Sequence, residues 1–455
     1  MLYLFNKLKN MIKISIFILF HRSKSDIIYR SSLTIKYYTF YNRKVSFFMK
    51  YFVLIPDGMA DRPVPQLNNK TPMEKAHKPT MDNLCKKAVC GTVLNVPVGM
   101  VPESDTANLA ILSYNPKIYS KGRSPLEAMS MGLTMEPDDT AIRCNIVSVS
   151  EDADCYEDQI MLDHSADEIS TEEADILIKA LNAELANDIR KLYTGISYRH
   201  CLLWKNASQT YNFDRPHDII GERIGSHLPK IDDGGAEFLE FQKKGFEILK
   251  SHPLNAERKA KGLKSANSPW LWSPGAKPAL PSFNEKWGVK GSIISAVDLI
   301  KGIGICAEME VVDVPGATGN YHTNYTGKAN AAINCFENGA EFVYVHVEAP
   351  DECGHRGEIE NKVLSIEKID ELILHPVLEY LNNCGEDYKI LVLPDHPTPL
   401  EIRTHSSEYV PFFMYSSTEK ADGPDVFTEK TAENCPTKIH DGSTLLDYMI
   451  KGASF

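Results

Sequence analysis

The sequence predicts an α/β fold: a doubly wound sheet core interrupted by a smaller inserted α/β (α+β) domain. Three observations lead there. Residues 51–55 (YFVLI), 341–347 (EFVYVHV) and 389–393 (KILVL) are continuous apolar runs, the pattern of strands covered on both faces. Helix-like stretches lie between and after them, at 79–87, 107–113, 327–337 and 358–382, the alternation of a wound sheet. From about residue 138 to 287 the texture changes, and the core pattern resumes at Gly291 with IISAVDLIKGIG. The predicted core is therefore 49–137 plus 289–455, and the insert is 138–288.

Taken in order, the chain opens on a segment unlike the rest. Residues 1–48 hold nine Lys/Arg and a single acid, Asp26, and contain no Ala, Gly, Pro, Glu, Gln, Trp or Cys. The apolar run 14–20 is far shorter than the roughly 20 residues that span a bilayer, and no small-x-small cleavage site follows it. We read 1–48 as a basic leader outside the fold, upstream sequence read in frame with Met49 as the working start; an organellar targeting segment and a membrane anchor are the alternatives. Within the insert, the apolar stretches 141–149 and 198–203 flank a helix expected over 171–186, with Ser170 or Thr171 as its cap and Glu172 and Glu173 in its first turn. A second helix is expected over 236–251, followed by a Pro/Trp/Ser-rich run, 265–283.

Composition narrows the function. The chain of 455 residues has a net charge of −12, and because the leader is basic the remainder is more acidic still. That excludes a general nucleic-acid binder, which must offer cations to a phosphate backbone. Ten cysteines occur without a CxxC pair, ordinary usage for a reducing compartment. No membrane association is expected, and a cytoplasmic location is.

The chemistry gathers where the predicted strands end. Asp57 follows the first strand, Asp351 and His355 follow the second, Asp395 and His396 follow the third, and His405 comes nine residues later. In open α/β sheets the site lies beyond the carboxyl ends of the strands, so residues remote in sequence can converge there. Three Asp and three His suit two divalent metal ions. Ser104, at the start of a predicted helix, is either a plain helix cap or a nucleophile activated by those metals. No G-x-S-x-G elbow, P-loop or G-x-G-x-x-G turn is present, which removes lipase-like, P-loop and Rossmann readings.

The stretches IPDGMAD (55–61), VPESDTANLAILSYNP (101–116), GRSPLEAMSMG (122–132), APDECGH (349–355), LPDHPTPL (393–400) and RTHSSEYVPF (403–412) resemble the archaeal-type cofactor-independent phosphoglycerate mutases of the alkaline phosphatase superfamily. The resemblance runs from about Met49 to the C-terminus. It implies an alkaline-phosphatase-like core and an isomerase that interconverts 3-phosphoglycerate and 2-phosphoglycerate in glycolysis and gluconeogenesis. One metal would be held by Asp351, His355 and His405, the other by Asp57, Asp395, His396 and Ser104. Ser104 would carry the phosphoryl group as phosphoserine while the glycerate reorients, and no bisphosphoglycerate would be needed. Manganese is the expected metal, with magnesium, cobalt or zinc also compatible with this donor set.

A mutase must keep water from its phosphoserine, a task for a closing insert that carries cations for the substrate carboxylate. Arg143, Arg199 and His217 from the insert and Lys328 from the core are the candidate substrate contacts. Two loops depart from the family's usual wording: Asp167-Glu168 stand where a histidine is expected, and His322 and Asn324 where acids are usual. The alternative reading is a metal-dependent phosphohydrolase or phosphotransferase of the same superfamily acting on another small phosphorylated metabolite. A monomer is the expected state.

Overall fold

The computed structural model describes residues 49–454, and the readings made of the leader lie outside the described residues. Among the described residues, thirteen strands form two sheets. In chain order they are β1 (Lys50–Pro56), β2 (Ala88–Val93), β3 (Asp139–Val149), β4 (Met161–Asp163), β5 (Arg190–Ile196), β6 (Arg199–Lys205) and β7 (Ser268–Ala276). They continue with β8 (Gly291–Ile294), β9 (Glu310–Val312), β10 (Phe342–Val347), β11 (Tyr388–Val392), β12 (Val410–Ser416) and β13 (Thr437–Ile439).

The larger sheet has eight strands in the order β13-β2-β12-β11-β1-β10-β8-β9. The three apolar runs read from sequence are its centre: β1 lies parallel between β10 and β11, with Leu54 opposite both Val345 and Val392. Alternate residues of these strands face opposite sides, and both sides are covered. Phe52, Leu54, Val343, Val345, Ile390 and Val392 enter one core, while Val53, Ile55, Phe342 and Leu391 are equally buried on the other face. Each such side chain is worth about 1.5–3 kcal/mol relative to exposure, which is why these strands read as unbroken hydrophobic runs.

The sheet is mixed rather than wholly parallel, because β12 runs antiparallel to both β11 and β2. The helix expected over 358–382 is likewise three pieces: Ile359–Ile369, a π turn Asp370–Leu374, and His375–Asn383. Pro376 supplies the reason, since it has no amide hydrogen to continue the ladder, and a wider turn absorbs the misfit.

The second sheet is built from 139–276, with β4-β3-β6-β5 in order and β7 on the free side of β3. Its helices Thr171–Leu185 and Ala236–Lys250 cover one face, burying Leu177, Leu181, Phe241 and Leu249 against Ile142, Cys144 and Leu202. The Ser170 side chain accepts the Glu173 amide, as its capping position predicts. The Pro/Trp/Ser-rich run, whose composition gives no strand signal, contains β7; Trp270 and Leu271 there are buried. The helix Ser124–Ser130 joins the two sheets and packs on Asp298–Cys306, where Gly302 lets the Leu126 backbone approach; a Cβ on Gly302 would lie 2.1 Å from the Leu126 carbonyl oxygen.

Candidate active site

β1, β10 and β11 are parallel neighbours, so the residues that follow them emerge side by side. Asp57 comes directly off β1 and Asp395-His396 follow β11 by two residues, whereas Asp351 and His355 lie one turn apart in the helix Ala349–Arg356 that follows β10. Gly58 turns the chain after Asp57 with φ +61°, and a Cβ there would sit 2.7 Å from the Asp351 Cα. Only glycine meets both demands.

Two groups of metal-binding side chains result. In the first, Asp351 lies with His396 and His405; His405 Nε2 is 3.3 Å from Asp351 Oδ1, His355 Nε2 is 3.3 Å from Asp351 Oδ2, and the two Nε2 atoms are 2.9 Å apart. His355 and His405 donate from Nδ1 to the carbonyls of Arg403 and Pro102 at 3.0 and 2.7 Å, which points each Nε2 at the carboxylate, where a metal ion can take the place of its proton. In the second, Asp57 and Asp395 lie with His346. His396 Nε2 stands between the groups, 3.7 Å from Asp57 Oδ1 and 3.5 Å from Asp395 Oδ2. The Gly58 and His396 amides donate to Asp395 Oδ1 at 3.2 and 2.9 Å.

Electrostatics calls for cations here. Burial, reinforced by Asp395 and Asp351, pushes Asp57 well above the usual carboxylate range. Burial also opposes ionisation of Asp351, yet hydrogen bonds with His355 and His405 hold it well below that range. Both Asp57 carboxylate oxygens are buried without a hydrogen bond. Carboxylate and imidazole donors converging around orphaned buried oxygens fit divalent metal ions.

Ser104 opens the helix Ser104–Ile111, and the cap position belongs to Glu103, so the serine is not spent on capping. Its Oγ is 3.2 Å from His396 Nε2. One turn on, the fully buried Asn108 donates to the Ser104 carbonyl at 2.8 Å and to Asp395 Oδ2 at 2.9 Å. The Tyr344 hydroxyl donates to the Asn108 side-chain oxygen, which fixes the orientation of the amide. The structure therefore brings together Asp57, Ser104, Asp351, His355, Asp395, His396 and His405.

The four predicted substrate contacts are placed less uniformly. A cleft of about 410 Å³ is bordered by Arg123, Arg143, Arg199, Asn320, Glu348 and Arg356, among others. Arg199 is exposed there and makes no ion pair among the described residues. Arg143 is buried, paired with Glu127 and stacked 4.6 Å over the Trp272 ring. His217 lies outside the cleft lining, 5.7 Å from the Trp272 ring and beside His164. Lys328 is fully buried and donates to the His346 carbonyl at 2.7 Å; burial lowers its ammonium to about 8.

The departures in wording are locally satisfied. Ala166, Asp167 and Glu168 form a left-handed turn, with Asp167 paired to Lys264 at 3.1 Å. Asn324 caps the helix Tyr325–Glu337, and the His322 ring packs at a tilt against Tyr321. Sequence reasoning missed His346, Asn108, Tyr344, Glu348 and Arg356. A histidine inside an otherwise apolar strand is the one signal that marks the first of these.

Comparison with known proteins places the chain in a family. A family model described as 2,3-bisphosphoglycerate-independent phosphoglycerate mutase matches residues 85–255. Proteins of that name from Methanothrix thermoacetophila and Methanosarcina mazei are each 42% identical over 89% of this chain and all of their own length. A Geobacter sulfurreducens protein named as a probable member is 40% identical over 88% of the chain. Among solved structures, a Pyrococcus horikoshii protein superposes with TM-score 0.74 at 28% identity, covering 89% of this chain and 97% of that one. A cofactor-independent phosphoglycerate mutase from Thermoplasma acidophilum gives 0.63 at 25% identity, covering 89% of this chain and all of that one. With a convergent carboxylate, imidazole and serine site and relatives matched along their whole length, this chain belongs to the 2,3-bisphosphoglycerate-independent phosphoglycerate mutase family.

Proposed function

We propose that the protein interconverts 3-phosphoglycerate and 2-phosphoglycerate through a phosphoserine at Ser104, as an isomerase that needs no bisphosphoglycerate. The observation that carries this is the Ser104 hydroxyl, at a helix N-terminus and 3.2 Å from His396 within the clustered Asp and His side chains. Two divalent ions, manganese by preference, held by Asp351, His355 and His405 and by Asp57, Asp395, His396 and Ser104, would neutralise phosphoryl charge and acidify the serine hydroxyl. Ser104 Oγ attacks phosphorus as the bond to the glycerate 3-oxygen breaks, and the serine proton ends on the freed 3-hydroxyl. The 2-hydroxyl then takes the phosphoryl group, and its proton restores Ser104.

Segments 49–137 and 289–455 serve as the catalytic core and 138–288 as the lid that excludes water. Arg199 and Arg143 border the cleft as the contacts for the substrate carboxylate, with His217, in a turn of the insert, packed near the Trp272 ring of β7. Lys328 contributes as a fixed charge behind the carboxylates. We expect the enzyme to act as a monomer and place it in the cytoplasm. A coupled assay with 3-phosphoglycerate and no bisphosphoglycerate tests the reading: 2-phosphoglycerate should form, and release of free phosphate in its place would identify a phosphohydrolase.

A further inference from the structure

His346 is the polar member of a buried apolar strand. It pairs with Ile55, two residues before Asp57, and is fully buried. Its Nε2 lies 3.0 Å from Asp57 Oδ2, yet neither that nitrogen nor either Asp57 oxygen has a hydrogen bond, so the ring's in-plane axis does not run along the contact. Two polar atoms in van der Waals contact without a hydrogen bond are what two ligands of one ion look like. Asp395 completes the group, with one atom from each of the three side chains within 4.8 Å of the others.

The rest of the ring is fixed for that role. Nδ1 lies 3.3 Å from Ser295 Oγ, which also accepts the Val297 amide at 3.0 Å. An Nδ1–H donated to Ser295 leaves the lone pair on Nε2, the same arrangement that His355 and His405 reach through the Arg403 and Pro102 carbonyls. Lys328 holds the His346 carbonyl from behind. Leaving a buried nitrogen unpaired is unfavourable, a cost that disappears if a cation takes the lone pair.

We propose that His346 is itself a ligand, through Nε2, of the cation held by Asp57 and Asp395. The proposal rests on the two-cation reading above. A second imidazole beside that of His396 biases that position further toward cobalt, zinc and manganese over magnesium.

The test pairs crystals of the wild-type protein soaked in Mn²⁺, read by anomalous scattering, with calorimetric titration of the metal-free protein by Co²⁺ and by Mg²⁺. Manganese is expected between Asp57, Asp395 and His346, about 2.0–2.3 Å from Nε2. His346→Gln should weaken Co²⁺ at one site at least tenfold and Mg²⁺ less than threefold, with the circular dichroism of the metal-free variant unchanged. A cation on Asp57 and Asp395 with Nε2 beyond about 3 Å overturns this inference and leaves the two-cation reading standing. Unchanged Co²⁺ affinity, or equal losses for both ions, overturns it too, the latter making His346 a hydrogen-bonding support of Asp57. No cation at either group overturns both readings. If His346→Gln does not fold, the wild-type crystals decide alone.

Discussion

Asp57 reaches its partners only because the next residue is glycine. At Gly58 a left-handed φ coincides with near contact to the Asp351 backbone, so Gly58→Ala should separate the strand ends, costing at least tenfold in metal affinity by calorimetry. Ser104→Ala removes the atom proposed to carry the phosphoryl group and nothing that holds the fold. Mutase turnover should disappear while the thermal transition and metal content stay nearly those of wild type. His355 links the site to pH. Its hydrogen bond to Asp351 lifts the imidazole from 6.5 to about 9 in the metal-free protein. The sign follows: this interaction stabilises the metal-free fold fully below about pH 6.5 and is lost as pH rises through about 9. A metal must displace that proton, so binding at pH 7.5 should release protons, visible as a binding enthalpy that changes with the buffer's ionisation enthalpy.

Among elements, the helix Ser104–Ile111 and the loop after β11 set the spacing between nucleophile and carboxylate. Asn108 ties them together, donating to the Ser104 carbonyl and to Asp395, with its own orientation set by Tyr344 on β10. Asn108→Ala should lower kcat by about 10²-fold with little change in KM, because a misplaced nucleophile harms the transition state more than binding. The loop is braced from below by Lys362, on the helix Ile359–Ile369, which donates to Asp61 Oδ2 and to the Thr398 carbonyl, both at 2.7 Å. Thr398 in turn hydrogen-bonds Asp351. Both members of the Lys362–Asp61 pair are buried, so Lys362→Met strands a carboxylate and should destabilise the fold by about 3–5 kcal/mol in urea titration.

Across the molecule, acidity and function pull in opposite directions. The chain is net negative at −12, and its site concentrates three buried carboxylates, so an anionic substrate cannot be drawn by the field of the whole protein. Attraction must come from bound cations and from the arginines of the cleft. The same cations relieve repulsion in the core, and stripping them should therefore cost stability as well as activity. At a hundredfold excess over Kd, one bound ion is worth about 2.7 kcal/mol. Chelation should lower the melting temperature, and Mn²⁺ should restore it in a concentration-dependent way.

The central strands were legible in the sequence because burial on both faces leaves unbroken apolar runs, and the metal and serine motifs because each follows such a run or opens a helix. What escaped was set by contacts between distant segments. β7 is a strand by virtue of pairing with β3, which Pro269 and Pro274 conceal. Arg143 and Lys328 read as free cations in the sequence, whereas Arg143 borders the cleft already paired with Glu127 and stacked on Trp272, and Lys328 lies buried behind β10. His346 is a core residue by periodicity, and only the parallel register of β1 and β10 sets its free nitrogen against Asp57. The sequence by itself determined the fold class, the family and the chemical inventory, since these are written in local pattern and residue type. Which donors meet, and which charges are already paired, was decided by tertiary structure, because a side chain's partners depend on strand register and helix packing across some 300 residues of intervening chain.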